Sequence, residues 1–232
     1  ILVIPAIFAA NLLPILTRLH DGNQHAQIGE LIKRSTALLF VGSFALGTAL
    51  VVLAPWVIVF ITSREFAASA LPLRLLVPAF IALFLTTIYA GAAIAMRAQK
   101  RLIGGYCLVV LLDIVLNLIL IPRLSYVGAA LTTVTSELVL MSYSFFLLTR
   151  LIPIRLRDLP LGSMATFAVL VATAGVLGYQ FLIPTLGQFE LMGKFGQGAW
   201  LALVSGLIAV SAAGAYWLIF RPTDRRQIVT PR

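Results

Sequence analysis

Two carboxylates stand in the middle of long apolar runs, Asp113 in the run Leu102–Ile121 and Glu137 in the run Tyr126–Thr149. A charge at the centre of a bilayer costs roughly 2.5–3.5 kcal/mol on insertion scales, so such residues normally face a bundle interior or an aqueous cavity. They could bind a driving H⁺ or Na⁺, or accept hydrogen bonds from polar groups of a substrate. A structural alternative stays open, in which a protonated acid joins two helices through Thr or Asn.

Polar neighbours share the helix faces of these acids. Asn117 follows Asp113 by four residues and Thr133 precedes Glu137 by four, and residues four apart lie on one face of a helix. At 1.5 Å per residue the acids lie about 12 and about 16 Å from the same end of their helices, which the short turn 122–125 makes neighbours. We therefore expect these four side chains to line one cavity.

Three further residues are candidates for the lining or the mouth of the same cavity. Asn11 and Arg18 are seven residues apart, which places them on one face of the first run, and we expect Asn11 to face the cavity. Arg18 and Arg97 end their runs, where each either receives a phosphate or simply anchors its helix at the interface. We expect both at the cytoplasmic mouth.

The composition indicates an all-α, polytopic membrane helix bundle. The chain is 61% hydrophobic and 11% charged, whereas soluble domains are nearer half apolar and a quarter charged. β-barrel strands would be about half as long as these runs and would alternate apolar with polar residues. About seven runs approach the ~20 residues that span a bilayer: Ile1–Thr17, Thr36–Thr62, Leu75–Met96, Leu102–Ile121, Tyr126–Thr149, Leu161–Ile183 and Ala199–Phe220.

The basic residues predict the topology. Thirteen of the seventeen Lys and Arg fall on one side of the predicted membrane and four on the other. Since Lys and Arg accumulate on the cytoplasmic side, Ile1 is expected at the outer face and Arg232 in the cytoplasm. The segment Leu19–Ser35 is then the longest cytoplasmic loop, a solvated linker or a short interfacial helix. The opening at Ile1, without Met or a signal peptide, suggests that earlier sequence is missing.

Several classes of function require residues or motifs that this sequence does not contain. The charge of +9 comes from residues at the ends of apolar runs, which argues against a nucleic-acid partner. One cysteine, Cys107, and two histidines, His20 and His25, make no recognisable metal site, so no metal and no cofactor is expected beyond a coupling H⁺ or Na⁺. No nucleotide-binding, protease or hydrolase motif is present, so we expect no enzyme and no catalytic residues.

The stretch NLILIPRLSYVGAALTTVTSE (117–137) resembles the N-x-x-L-I-P…G-A-A-x-x-T…S-E signature of Wzx-type oligosaccharide (O-antigen and exopolysaccharide) flippases. These belong to the multidrug/oligosaccharidyl-lipid/polysaccharide exporter superfamily. Three more stretches look similar to family segments, and together the likeness covers about residues 1–150: NLLPILTRL (11–19), REFAASALPLRLL (64–76) and AAIAMRAQKR (92–101).

The resemblance implies an architecture and an activity. Family members have two six-helix lobes around a central cavity, often with two further helices. This chain would then supply helices eight to fourteen: second-lobe helices in 1–158, an extra pair in 159–220, and a basic cytoplasmic tail in 221–232. The implied activity is ATP-independent transfer of a polyprenyl-diphosphate-linked oligosaccharide to the outer leaflet of a bacterial plasma membrane, for polysaccharide or O-antigen biosynthesis.

Two alternatives stay open, because the deep charges are acidic whereas a diphosphate favours cations. One is an H⁺- or Na⁺-coupled multidrug exporter of the same superfamily, with Asp113 and Glu137 binding the ion and a lipophilic cation. The other is a non-transporting membrane component of glycan assembly. For the flippase, the expected partners are membrane lipid, the lipid-linked oligosaccharide, the missing N-terminal lobe of the same protein and the polysaccharide polymerase machinery.

Overall fold

The computed structural model describes residues 3–61 and 64–152, with four isolated positions further on (159, 162, 164 and 169). The described chain is helical, which confirms the predicted all-α class. Its elements in chain order are α1 (Val3–Asp21), α2 (His25–Ile61), a short 3₁₀ helix (Arg64–Ser69), α3 (Ala70–Leu75), α4 (Val77–Ala95), α5 (Gln99–Leu124) and α6 (Tyr126–Leu151).

Four stretches of the described chain are long and apolar enough to cross a membrane. They are His25–Ala54, Ala70–Ala95, Gln99–Leu124 and Tyr126–Leu151, which correspond to the second to fifth predicted runs. The first run lies in α1, which is not among the four. The last two runs and the basic tail lie outside the described residues, so the count of seven spans and the domain boundaries stay predictions. The apolar helices indicate a membrane-embedded protein.

The solvated linker predicted for Leu19–Ser35 is wrong; the helical alternative is nearer to the structure, although this helix is the start of α2 and not a separate short one. The loop between α1 and α2 consists of residues 22–24 alone, with Asn23 at φ 54°, and α2 continues unbroken for 37 residues. Burial explains the extension, because Ile28 and Ile32 are completely buried in the core of the bundle. At about 55 Å, α2 is much longer than the ~30 Å hydrocarbon layer.

The predicted turn 122–125 is also wrong, since α5 runs through Pro122 to Leu124 and only Ser125 separates it from α6. A proline in the last turn removes one backbone hydrogen bond, and Ser125 N–H still donates to the carbonyl of Ile121 at 2.8 Å. Ser125 adopts φ 52°, which lets the chain reverse within one residue. Asp113 therefore lies about 16 Å from the end of α5, the same depth as Glu137 in α6.

Helix α4 lies at the centre of the packing and contacts α1, α2 and α6. The main core cluster occupies one end of the bundle, where α1, α4 and α6 finish and α2 begins; its completely or almost completely buried members include Leu16, Ile28, Ile32, Phe84, Ile88 and Leu148. Among the described residues, the alternating helix directions place seven of the ten basic ones at this same end, namely Arg18, Lys33, Arg34, Arg97, Lys100, Arg101 and Arg150. Which face of the membrane this end meets stays a prediction.

Small residues bring α5 and α6 together as an antiparallel hairpin. Gly128, Thr132 and Ser136 recur every fourth residue of α6, so they lie on one face, and all three are buried. A Cβ on Gly128 would overlap the backbone carbonyl of Leu120, which shows how closely the two backbones approach. Small residues permit such approach between membrane helices. The same register places Gly105 of α5 against the ring of Tyr143.

Candidate functional site

A groove of about 470 Å³ runs along α4. Helices α1 and α6 both pack on α4 and leave this groove between them. The floor is formed by α4, whose lining residues are largely small or hydroxyl-bearing. The lining residues are Ala9, Ala10 and Leu13 of α1; Leu83, Thr86, Thr87, Ala90, Gly91 and Ile94 of α4; Tyr106 of α5; and Glu137 and Leu140 of α6.

Glu137 is the carboxylate of this groove. It is half-buried, and it lies eleven residues, about 16 Å, from the start of α6. Within the described part of the chain its carboxylate makes no hydrogen bond or ion pair, and the described lining contains no Lys or Arg. Because uncompensated charge is costly inside a membrane, this carboxylate is the group in the groove most in need of a partner.

Two further residues with polar side chains, Thr86 and Tyr106, line the groove. Thr86 is only 6% exposed, and its hydroxyl oxygen is buried without a hydrogen-bond partner. Its neighbour Thr87 differs, because that hydroxyl donates to the carbonyl of Leu83 in its own helix at 2.8 Å. The Tyr106 hydroxyl lies beside Ser144, two turns along α6 from Glu137. Buried polar atoms are normally paired, so the Thr86 hydroxyl is an unusual unpaired group, and it is closed off from the groove by the packing around α4.

Asp113 has a different environment from Glu137. One carboxylate oxygen accepts a hydrogen bond from Ser136 Oγ at 2.8 Å, across the α5–α6 contact. The other accepts from Asn117 Nδ2 at 3.0 Å, one turn along α5. Asp113 and Asn117 are thus brought together, as their spacing predicts, but they form a link between two helices and do not line the groove. Asp113 thus joins two helices, as in the structural alternative, but its partner on α6 is Ser136, and Asn117 bonds to it from its own helix.

Thr133 and Asn11 also lie apart from the groove lining. Thr133 is exposed and its hydroxyl donates to the carbonyl of Ala129 at 3.1 Å, within α6. Asn11 is exposed and its amide donates to the carbonyl of Ile7 at 2.9 Å, within α1. Of the five predicted cavity residues, Glu137 alone lines this groove.

Arg18 and Arg97 lie at one end of the groove. Ile94, the last lining residue of α4, precedes Arg97 by three residues. Arg97 adopts φ 59° in the corner between α4 and α5, and its Nη2 lies 3.3 Å from Asp21 Oδ1 at the end of α1. Arg18 is exposed one turn before Asp21. Both arginines therefore stand near the basic end of the groove.

Sequence reasoning missed Thr86, Tyr106 and Ser136. Ser136 had a usable signal, because it continues the four-residue spacing of Gly128 and Thr132 toward the neighbouring helix. Thr86 and Tyr106 had none, since a single hydroxyl in an apolar run does not reveal which face of its helix is open.

No protein-family model matches this chain, and no curated protein matches it.

Proposed function

We propose that this chain forms part of a flippase that moves polyprenyl-diphosphate-linked oligosaccharide units to the outer leaflet of a bacterial plasma membrane, without ATP, for polysaccharide or O-antigen biosynthesis. The observation that carries the proposal is Glu137, an unpaired carboxylate in an open groove at mid-helix depth. A membrane protein tolerates such a group where a polar solute or water reaches it.

The groove lining suits an amphipathic substrate. Leu13, Leu83 and Leu140 offer apolar contact to a polyprenyl chain, while the carboxylate of Glu137 can accept hydrogen bonds from a sugar. At the basic end, Arg18 and Arg97 supply the donors and the positive charge that a diphosphate requires. This division assigns the lipid, sugar and diphosphate portions of one molecule to different parts of the same groove.

In this proposal the substrate crosses the membrane by alternating access. The groove has α1 as one wall and the α5–α6 hairpin as the other, with α4 as the floor. A second lobe of the same protein would cover the open side, and rocking of the two lobes would expose the substrate to either leaflet in turn. The basic end, which carries Arg18 and Arg97, would face the cytoplasm together with the C-terminus.

One observation favours a second candidate, an H⁺- or Na⁺-coupled exporter of organic cations. The described groove lining carries a carboxylate and no Lys or Arg, which is the electrostatics expected for a cationic cargo. In this version Arg18 and Arg97 anchor their helices at the interface and do not contact the cargo.

Transport by the full-length protein in proteoliposomes separates these candidates. A fluorescent polyprenyl-diphosphate oligosaccharide is placed in the membrane, and its exposure to a membrane-impermeant quencher is followed with time. The flippase predicts protein-dependent exchange between leaflets and no uptake of a fluorescent organic cation. The exporter predicts the reverse. Absence of both activities would overturn the transporter proposal and favour a non-transporting membrane component.

A further inference from the structure

We propose that the side of the α5–α6 hairpin away from the groove binds an anionic phospholipid, whose phosphate is held at the basic end by Lys100, Arg101 and Arg150. The inference is independent of the proposed function, because none of these three residues lines the groove. It starts from three observations: cations without acidic partners, an exposed apolar face that continues from them, and a glycine that leaves open space between the two.

The cations of the hairpin lack the acidic partners that other cations at the basic end have. Arg34 pairs with Glu30 at 2.7 Å, and Arg97 lies 3.3 Å from Asp21. Three exposed cations make no ion pair with any described residue, namely Lys100, Arg101 and Arg150. The first turn of α5 contains no acidic residue, so the positive end of its helix dipole adds to their charge. The complementary partner is therefore an anion.

The register of the hairpin brings these cations to one level. Gly105 of α5 lies against the ring of Tyr143 in the antiparallel α6, so Arg150, seven residues further on, lies level with the start of α5. The Tyr143 hydroxyl donates to the carbonyl of Arg101 at 2.6 Å and joins the two helices there. The Arg150 guanidinium carbon lies 4.9 Å from the ring centroid of Phe146, within range of cation–π attraction.

An exposed apolar face lies on the side of the hairpin away from the groove. Glu137 and Tyr106 line the groove. At about 100° per residue, Phe146 lies half a turn around α6 from Glu137, and Leu108 lies about 200° around α5 from Tyr106. Leu108 is 68% exposed and Phe146 is 54% exposed. This second face is therefore open to the hydrocarbon of the membrane.

Gly104 leaves space between the cations and the apolar face. It follows Arg101 by three residues and precedes Leu108 by four, so the three share one face of α5. Nothing lies within 4 Å of a Cβ placed on Gly104. On the exposed face of α6, Ser142 precedes Phe146 by one turn and is also small. An acyl chain that starts from a phosphate at Arg101 can pass over Gly104 and lie along Leu108.

A phospholipid combines the two features that this side of the hairpin requires. Its phosphate lies at the membrane surface, where the basic end of α5 begins, and its chains extend into the hydrocarbon. Arg101 and the exposed Leu111 are ten residues apart, about 15 Å, which is half of the ~30 Å hydrocarbon thickness. A soluble anion would use the cations and leave the apolar face without a role.

The test measures lipid selectivity at this face in the complete 232-residue chain. Cys107 is the single cysteine of the sequence and is exposed on α5, so it can carry a bimane fluorophore without any substitution. In phosphatidylcholine nanodiscs, quenching by brominated phosphatidylglycerol is compared with quenching by brominated phosphatidylcholine at equal mole fraction. Each cation near an anionic lipid surface contributes about fivefold in affinity, so we expect phosphatidylglycerol to be preferred at least about tenfold.

Matched variants attribute the preference to the hairpin cations. Arg101→Gln and Arg150→Gln should each lower it about fivefold. Arg34→Gln is the control, because it removes the same charge at the same end from a cation that already has an acidic partner, and its preference should equal that of the unsubstituted protein. All three side chains are exposed, so the three variants should retain the helical circular dichroism signal.

Equal quenching by the two lipids would overturn the site. An equal loss of preference in Arg34→Gln and Arg101→Gln would also overturn it, since the general charge of the basic end would then explain the selectivity. Millimolar inorganic phosphate or glycerol 3-phosphate at constant ionic strength should not compete, because neither carries an acyl chain; competition by either would show a site for a free anion instead. Absence of quenching by both lipids would show that protein covers this face and would refute the proposal.

Discussion

Ser136 Oγ donates a 2.8 Å hydrogen bond to Asp113 Oδ1, and the next residue along α6, Glu137, faces the groove. Consecutive residues on a helix point about 100° apart, so one step along α6 separates the hairpin contact from the open face. The two deep carboxylates therefore have different roles: Asp113 joins α5 to α6, and Glu137 is accessible to a ligand.

The Asp113–Ser136 hydrogen bond should stabilise the hairpin. Ser136→Ala should lower the free energy of unfolding by about 1 kcal/mol, the scale found for hydrogen bonds between membrane helices. Addition of Asp113→Asn should then cost less than it does alone, because the two residues share one interaction. The measurement is a double-mutant cycle by unfolding in mixed micelles.

Ser142→Ala is the matched control for that cycle. Ser142 lies on α6 and its hydroxyl donates to the carbonyl of Leu138 in the same helix. Its removal should leave the unfolding free energy nearly unchanged. Equal effects of the two serine substitutions would show that the Asp113 contact contributes nothing beyond an ordinary helix hydroxyl.

Gly128 should be intolerant of any side chain. Gly128→Ala places a methyl group against the backbone of Leu120, so the hairpin must open, and we expect a loss of about 1–3 kcal/mol in unfolding free energy. Gly104→Ala serves as the comparison, because nothing lies within 4 Å of the added Cβ and alanine favours the helix. A Gly128→Ala protein as stable as the Gly104→Ala protein would refute the close approach of α5 and α6.

The two ends of the bundle should lie on opposite sides of the membrane, with the basic end in the cytoplasm. The native cysteine, Cys107, is first replaced by alanine, and single cysteines are then introduced by Gln24→Cys between α1 and α2 and by Ser125→Cys between α5 and α6. In intact cells a membrane-impermeant maleimide should label Ser125→Cys only. Labelling of Gln24→Cys before permeabilisation would reverse the topology.

The all-α class and four of the spans could be predicted from the sequence, because long apolar runs can adopt few other structures in a membrane. It failed at residues 19–35, where a polar composition indicates a loop but the complete burial of Ile28 and Ile32 extends α2 to His25. Tertiary packing overrides local composition at such positions. The end of α5 was also predicted too early, because one proline in the final helical turn does not end the helix.

The candidate site was predictable only in part. Spacing correctly joined Asp113 to Asn117, and depth placed Glu137 beside them on the next helix. Whether an acid faces a neighbouring helix or an open groove depends on how α1 and α6 pack on α4, and no local pattern encodes that. Thr86 became visible as an unusual unpaired group only because packing leaves its hydroxyl buried without a partner.

The most direct measurement is leaflet exchange of the fluorescent lipid-linked oligosaccharide by full-length protein that carries Glu137→Gln. The matched variant is Glu30→Gln, which alters an exposed carboxylate paired with Arg34 at the basic end of the bundle. We expect Glu137→Gln to slow exchange by about tenfold or more, the effect of losing one charged hydrogen bond, while Glu30→Gln transports at the normal rate. Normal exchange by a folded Glu137→Gln protein would contradict the account.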